Sequence, residues 1–170
     1  TTLSGANTYT NTTTMNAAGG TLVLSGSNNS NGATTLTAGT LQFNSPINAG
    51  LAGGLLTLTS GTVEALGSAR TVPNTVSLAS VTAAGSQSLT FTGPVSGITG
   101  AHRSLTNNIS GGTLTLGNVN INVEAGRTLT VDGTGHTVIT GVVASGNTNK
   151  ANQLVKLGGG SLTLRGNVTH

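Results

Sequence analysis

The feature that most constrains this chain is its internal repetition. Short segments in which apolar residues occupy alternate positions recur from end to end: Leu22-Val23-Leu24, Leu41-Gln42-Phe43, Leu56-Thr57-Leu58-Thr59, Val76-Ser77-Leu78, Leu89-Thr90-Phe91-Thr92, Thr113-Leu114-Thr115-Leu116, Ile121-Asn122-Val123, Leu129-Thr130-Val131 and Leu162-Thr163-Leu164. A spacing of two is that of a strand buried on one face, since successive side chains point to opposite sides of the backbone. A single short unit repeated along a chain points to a stacked architecture, in which each unit buries its apolar face against its neighbours.

Thr suits the intervening positions. Its β-branch favours extended backbone, and its hydroxyl can face water or pair with a Thr on the next strand. Between the strands lie breaks such as Ala18-Gly19-Gly20, Ala38-Gly39, Gly53-Gly54, Ser60-Gly61, Gly111-Gly112, Ala125-Gly126 and Gly158-Gly159-Gly160. Gly tolerates positive φ, so the chain can turn a corner at these places. Helical spacing is nearly absent, and the segment from Lys150 to Lys156 is the only doubtful stretch.

Many short strands fit a sandwich, a barrel or a solenoid. A sandwich fills a gap of about 10 Å between its sheets, commonly with aromatic rings, whereas this chain has only Tyr9, Phe43 and Phe91. A stacked coil needs smaller fillers, because like rows lie over one another. Hairpin turns are also scarce. Asn31-Gly32 and Asp132-Gly133 have the hairpin dipeptide, but in this pattern they read as corners. The expected fold is an all-β, right-handed parallel β-helix, one solenoid domain over residues 1–170. At roughly twenty residues and about 4.8 Å per coil it would make about eight coils.

The opening Leu3-Ser4-Gly5-Ala6-Asn7-Thr8-Tyr9-Thr10-Asn11-Thr12-Thr13-Thr14-Met15-Asn16-Ala17-Ala18-Gly19-Gly20-Thr21-Leu22-Val23-Leu24 resembles the autotransporter-associated β-strand repeat, also called the passenger-associated transport repeat. Its pattern is L-S-G-x-N-T-Y-T-G-x-T-x-V-N-x-G-T-L. The departure is Asn11, where the family has Gly; Asn also suits a left-handed corner. A degraded copy runs from Leu24-Ser25-Gly26 to Gly39-Thr40-Leu41, with Asn29 or Ser30 in place of the Tyr. The tail from Lys156 to Gly166 looks like the run-in to such a repeat, and the middle of the chain matches only in texture. The resemblance implies a β-helix exported across a bacterial outer membrane as part of a surface passenger, with no common active site to carry over.

Leu162-Thr163-Leu164-Arg165-Gly166 also matches Thr1-Thr2-Leu3-Ser4-Gly5, so the chain is expected either to be a window in a longer rod or to stack head to tail through its open ends. The expected role is a structural, non-catalytic fibre, filament or stalk at the bacterial surface. An adhesin is the alternative, gripping a host or matrix partner through the irregular stretches from Thr99 to Asn108 and from Ala144 to Gln153.

Chemistry is sparsely supplied. Glycoside cleavage, the activity a β-helix enzyme would most plainly have, needs two carboxylates about 5 to 9.5 Å apart. The only acids are Glu64, Glu124 and Asp132, with Glu124 and Asp132 the one candidate pair. The densest polar stretch offers Arg127, Asp132 and His136 as a weak acid-base candidate. The competing reading is a corner in which Asp132 accepts from backbone N–H groups and Arg127 pairs with it at the surface.

His102, His136 and His170 are isolated and Cys is absent, so no metal or other cofactor is expected. Gly158-Gly159-Gly160 lacks the Lys-Ser/Thr of a phosphate loop. Tyr9 is expected to pack on the next coil with its hydroxyl on a backbone carbonyl, and the Asn-rich stretches 28–31 and 118–122 to form stacked amide ladders.

The six Lys and Arg residues, Arg70, Arg103, Arg127, Lys150, Lys156 and Arg165, are scattered rather than clustered, which argues against nucleic-acid binding. No apolar stretch approaches the roughly 20 residues of a membrane-spanning helix. With 5% charged residues, against roughly 25% in ordinary soluble domains, the surface must be hydrated through hydroxyls and amides.

Overall fold

The computed structural model describes residues 1–27, 32–45, 53–98, 100, 102–121, 124, 126–145 and 151–169. Among them every regular element is a β-strand, and all the strand pairings are parallel. Parallel neighbours cannot be joined by hairpins, so the chain returns to each sheet by coiling, and the result is a β-solenoid of about 7 turns.

Each complete coil passes through three faces. The first carries Leu56–Leu58, Val76–Leu78, Val95–Gly97, Val119–Asn120, Val143–Ala144 and Val168–Thr169; the second carries Thr62–Ala65, Ser80–Ala84, Arg103–Asn107, Thr128–Asp132 and Gln153–Lys156. Both belong to one 14-stranded sheet. They join because Thr34–Phe43 is long enough to turn the corner, its opening residues pairing with Leu56–Leu58 and its closing ones with Thr62–Ala65. The third face is a separate 5-stranded sheet of Arg70–Val72, Leu89–Phe91, Thr113–Leu116, His136–Ile139 and Leu162–Leu164. Thr13–Leu24 and Thr2–Leu3 lie at the N-terminal end, with Thr2 beside Val23 and Leu3 beside Leu24.

The interior consists of axial rows set by this register. On the first face one row runs Leu56, Val76, Val95, Val119, Val143, Val168. A parallel one runs Met15, Leu36, Leu58, Leu78 and then meets Gly97. On the third face Val72, Phe91, Leu116, Ile139 and Leu164 form another. Phe43 and Phe91 meet edge to face in the centre, with ring centroids 6.5 Å apart and an interplanar angle of 84°. The Asp132-Gly133 dipeptide does turn a corner: it lies between the parallel faces at Thr128–Asp132 and His136–Ile139, with Gly133 at φ 99.

Several expectations need correction. The coils lengthen along the chain, which lowers their number from the expected eight to about 7. Residues stacked one coil apart are 19 to 22 positions apart in the early coils, as in Leu22 with Leu41 and Gln42 with Glu64, but 24 to 26 later, as in Thr140 with Leu116 and Thr134 with Asn108. The rod is therefore roughly 34 Å long at about 4.8 Å per coil.

Half of the stretch expected to project from Thr99 to Asn108 is not a loop, because Arg103–Asn107 is a strand of the second face with Arg103, Leu105 and Asn107 turned inward and buried; Thr99 and Ala101 lie outside the described residues. Only one of those three is apolar, which hides the alternation. Gln153–Lys156 is likewise a strand rather than a helix. Leu3 and Leu164 are not equivalent either: Leu3 pairs with Leu24 in the large sheet, and Leu164 with Ile139 in the small one.

Amide ladders fail on register as well, since Asn120 stacks between Ser96 and Ala144, and Asn118 accepts from the Val142 N–H. The stretch 28–31 and residues Asn122, Lys150 and His170 lie outside the described residues.

The rows generate a direct expectation. Leu114 is fully buried between Leu89 and Thr137, whereas its neighbour Thr115 points outward. Leu114→Ala should cost about 2–5 kcal/mol through transfer and cavity terms, and Thr115→Ala less than about 1 kcal/mol. Denaturant melts of the two variants beside the parent chain would measure the contrast.

Candidate functional site

The three carboxylates occupy three different places. Glu64 sits on the outside of Thr62–Ala65 and accepts a 2.8 Å hydrogen bond from the Gln42 side chain in the preceding coil. Asp132 closes the strand Thr128–Asp132 and accepts from the Gly133 N–H at 2.6 Å, as a corner Asp does. Glu124 lies at the corner leading into the second face and accepts from the Gly100 N–H at 2.9 Å and from Arg127 Nε at 3.1 Å.

Arg127, Asp132 and His136 are therefore not one constellation. Arg127 and Asp132 stand at opposite ends of an extended strand, roughly 16 Å apart at about 3.3 Å per residue, and the partner of Arg127 is Glu124. The corner reading holds for Asp132 and fails for Arg127. His136 begins the third face, and its Nδ1 contacts the Ser161 hydroxyl one coil on. Glu124 and Asp132 are separated by the same strand, outside the range for paired glycosidase carboxylates. Among the described residues no three His, Asp or Glu side chains converge.

What lies inside the corner between Asp132 and His136 is Asn107 of the coil before. Completely buried, it donates from Nδ2 to the His136 carbonyl at 2.9 Å and to Thr137 Oγ1 at 3.0 Å, while its Oδ1 accepts from the Ile109 N–H at 3.0 Å. It ties the second and third faces together where two coils meet.

The least expected group is Arg103. It takes the first inward position of Arg103–Asn107 and is only 2% exposed. Its side chain crosses the space left by Gly97, where the Met15-Leu36-Leu58-Leu78 row loses its side chain. A Cβ on Gly97 would stand 2.4 Å from Arg103 Nε and 2.8 Å from the Ile121 carbonyl oxygen, so only glycine leaves room for the guanidinium. None of the three guanidinium nitrogens has a hydrogen-bond partner.

Burial pushes the Arg103 guanidinium below its ordinary pKa, an effect opposed by Glu124 and reinforced by Arg127. Glu124 is held below the ordinary carboxylate value first by the Gly100 N–H, then by Arg127, with Arg103 adding to the same direction. The Arg127 N–H donates to Asn152 Oδ1 at 2.9 Å, which ties the corner to a third coil. Sequence reasoning missed this corner because its groups are spread over positions 97 to 152. A usable signal was the run Arg103-Ser104-Leu105-Thr106-Asn107, whose Ser and Thr already mark the outward positions.

Two surface hollows lie among the described residues. At the N-terminal end an apolar groove of about 550 Å³ is lined by Leu3, Tyr9, Thr13, Met15, Ala17 and Leu22. Tyr9 bonds there to the Thr13 hydroxyl, a side-chain partner where a backbone carbonyl was expected. On the second face a shallow trough of about 250 Å³ is lined by hydroxyls of Ser60, Ser80, Thr82, Ser104 and Thr106.

Asn107 supplies the test of this geometry. Asn107→Leu keeps the side-chain volume close but orphans the buried Ile109 N–H, and should lower stability by about 1–3 kcal/mol. Urea unfolding would show it, and an unchanged midpoint would mean that Asn107 does not tie the faces together.

Comparison with known proteins finds no matching family model, no matching curated protein and no matching solved structure.

Proposed function

We propose that this chain is a structural segment of an extracellular bacterial fibre or stalk, acting through length and rigidity rather than through catalysis. The observation that carries the reading is the continuity of one axial stack from Thr2 to Thr169, into which each of the three carboxylates is tied by a backbone or side-chain donor. An export route is suggested by the resemblance of Leu3 to Leu24 to the autotransporter repeat. Rows of hydroxyls suit a surface that must stay hydrated with few charges.

Such a stack can continue in the same register, either within a longer rod or from one copy to the next. At the C-terminal end Leu157, Leu164 and Val168 are exposed, although Leu164 and Val168 continue interior rows. At the other end the Leu3-Met15-Leu22 groove is apolar and flanked by the edge strand Thr2–Leu3. Joining one end to the other would keep every strand parallel and cover both. The adhesin alternative loses much of its first stretch, because Arg103–Asn107 is a strand, and residues 146–150 of its second lie outside the described residues.

Sedimentation of the isolated chain over a range of concentrations, with electron microscopy of the same samples, tests the proposal. Linear end-on oligomers are expected, and Leu164→Lys with Val168→Lys should shift them towards monomer. A persistent monomer in the parent chain would remove the association, and cleavage of a polysaccharide by the pure protein would remove the non-catalytic reading.

A further inference from the structure

Outside the corner built by Gly97, Gly100, Arg103, Glu124 and Arg127, the described interior is almost wholly aliphatic or amide and hydroxyl. At this corner a cation sits inside the solenoid. Arg103 is 2% exposed, no hydrogen bond reaches its guanidinium, and Gly97 is the residue that makes room for it. A buried cation is tolerated only near a compensating charge. Glu124 is the carboxylate whose charge acts on Arg103, and it is already engaged from two sides by the Gly100 N–H and by Arg127 Nε. One negative charge thus serves two guanidiniums, one from the strand Arg103–Asn107 and one from the next coil.

We infer that this corner is an acid-releasable latch: when Glu124 takes up a proton, the charge that keeps Arg103 inside is lost, and Arg103 leaves the interior while the aliphatic rows remain stacked. Protonation removes the negative charge of the carboxyl that accepts from Arg127 and Gly100, weakens both bonds, and leaves the two guanidinium charges without a counter-charge between them. A guanidinium on a long flexible stem reaches water at little cost, whereas an uncompensated buried one is strongly unfavourable.

The direction with pH follows from Glu124. Its carboxyl is held below the ordinary value of 4.5, so the stabilisation it provides is complete above that value and disappears as the pH falls through the lower, folded-state value. Among the described residues the charged groups acting on it are Arg127 and Arg103, with the Gly100 N–H the strongest influence. Glu64 and Asp132 are also acids, so variants rather than the pH profile alone must carry the test.

The experiment is a set of thermal melts at pH 7 and pH 3 on the parent chain, Glu124→Gln, Arg103→Met and the double variant. It is joined by a pH titration of the Gly100 amide resonance by ¹H–¹⁵N NMR. Glu124→Gln should lower the melting temperature by several degrees at pH 7 and shrink the further loss at pH 3. Arg103→Met should melt at or above the parent at pH 7 and keep more of its stability in acid, and in that background Glu124→Gln should cost little. The Gly100 amide should titrate with a midpoint below 4.5 in the parent chain and move up towards that value in Arg103→Met.

The latch is overturned if Arg103→Met loses as much stability in acid as the parent does. It is equally overturned if Glu124→Gln costs the same with and without Arg103. Arg103→Met fills the space at Gly97 with an apolar side chain of similar length, so it should fold. Should it fail to fold, Arg103→Lys, which keeps the charge, must retain the acid sensitivity, and its loss there would also overturn the proposal.

Discussion

Register between coils is the constraint on which the rest of this structure depends. Backbone bonds such as Asn44 N–H to the Leu24 carbonyl at 2.8 Å and Leu66 N–H to the Phe43 carbonyl at 2.9 Å place each residue over one fixed residue of the coil before. Once that pairing is set, the side chain at any interior position has its axial neighbours chosen for it. The valines at 76, 95, 119 and 143 stack on one another for this reason, and each buried aliphatic side chain contributes about 1.5–3 kcal/mol without any long-range matching of shapes. Where a row loses a side chain, as at Gly97, the gap must be filled from within the same neighbourhood.

The same register governs the outer surface. Thr35, Thr57, Ser77 and Ser96 lie in line on the first face, and Thr40, Thr62, Thr82 and Thr106 on the second. Had those positions carried like charges, each would have met another at the strand spacing of about 4.8 Å, a repulsion of about 1 kcal/mol per pair even in water. Hydroxyls stack at that distance without penalty and can bond to one another. The low charge content is thus a physical companion of in-register stacking. It also accounts for Glu64, on an outward position, standing against the neutral Gln42 rather than against another charge.

The parts of the fold legible in the sequence were those whose inward residues are apolar. Leu89-Thr90-Phe91 and Thr113-Leu114-Thr115-Leu116 announce themselves by alternation, and they are strands of the small sheet. Arg103–Asn107 does not, because its outer two inward places hold a cation and an amide, the cation housed in the space at Gly97 and the amide bonded to the next coil. His136–Ile139 is obscured in the same way, since Thr137 faces inward and takes a bond from Asn107. Coil length was misjudged because the added residues fall between the first and second faces, where three residues separate Leu58 from Thr62 but seven separate Asn120 from Thr128, and a fixed repeat of about twenty takes no account of them.

The candidate site was misread for a more general reason. In a solenoid, two residues a few positions apart on one strand diverge along the coil, while residues about one coil apart are brought together. Arg127 and Asp132 diverge although they are close in sequence. Gly100 and Glu124, 24 positions apart, form a hydrogen bond, as do Arg127 and Asn152 at 25. Polar chemistry in such a chain has to be sought at the coil spacing. That spacing must be measured locally, because a drift from 19 to 26 residues is enough to move a carboxylate from facing a guanidinium to facing the neighbouring strand. The buried arginine at position 103 and the carboxylate at 124 lie where the coil has just lengthened. There the missing side chain of Gly97 leaves the space for Arg103, and a separation of 24 positions sets Glu124 against the Gly100 N–H.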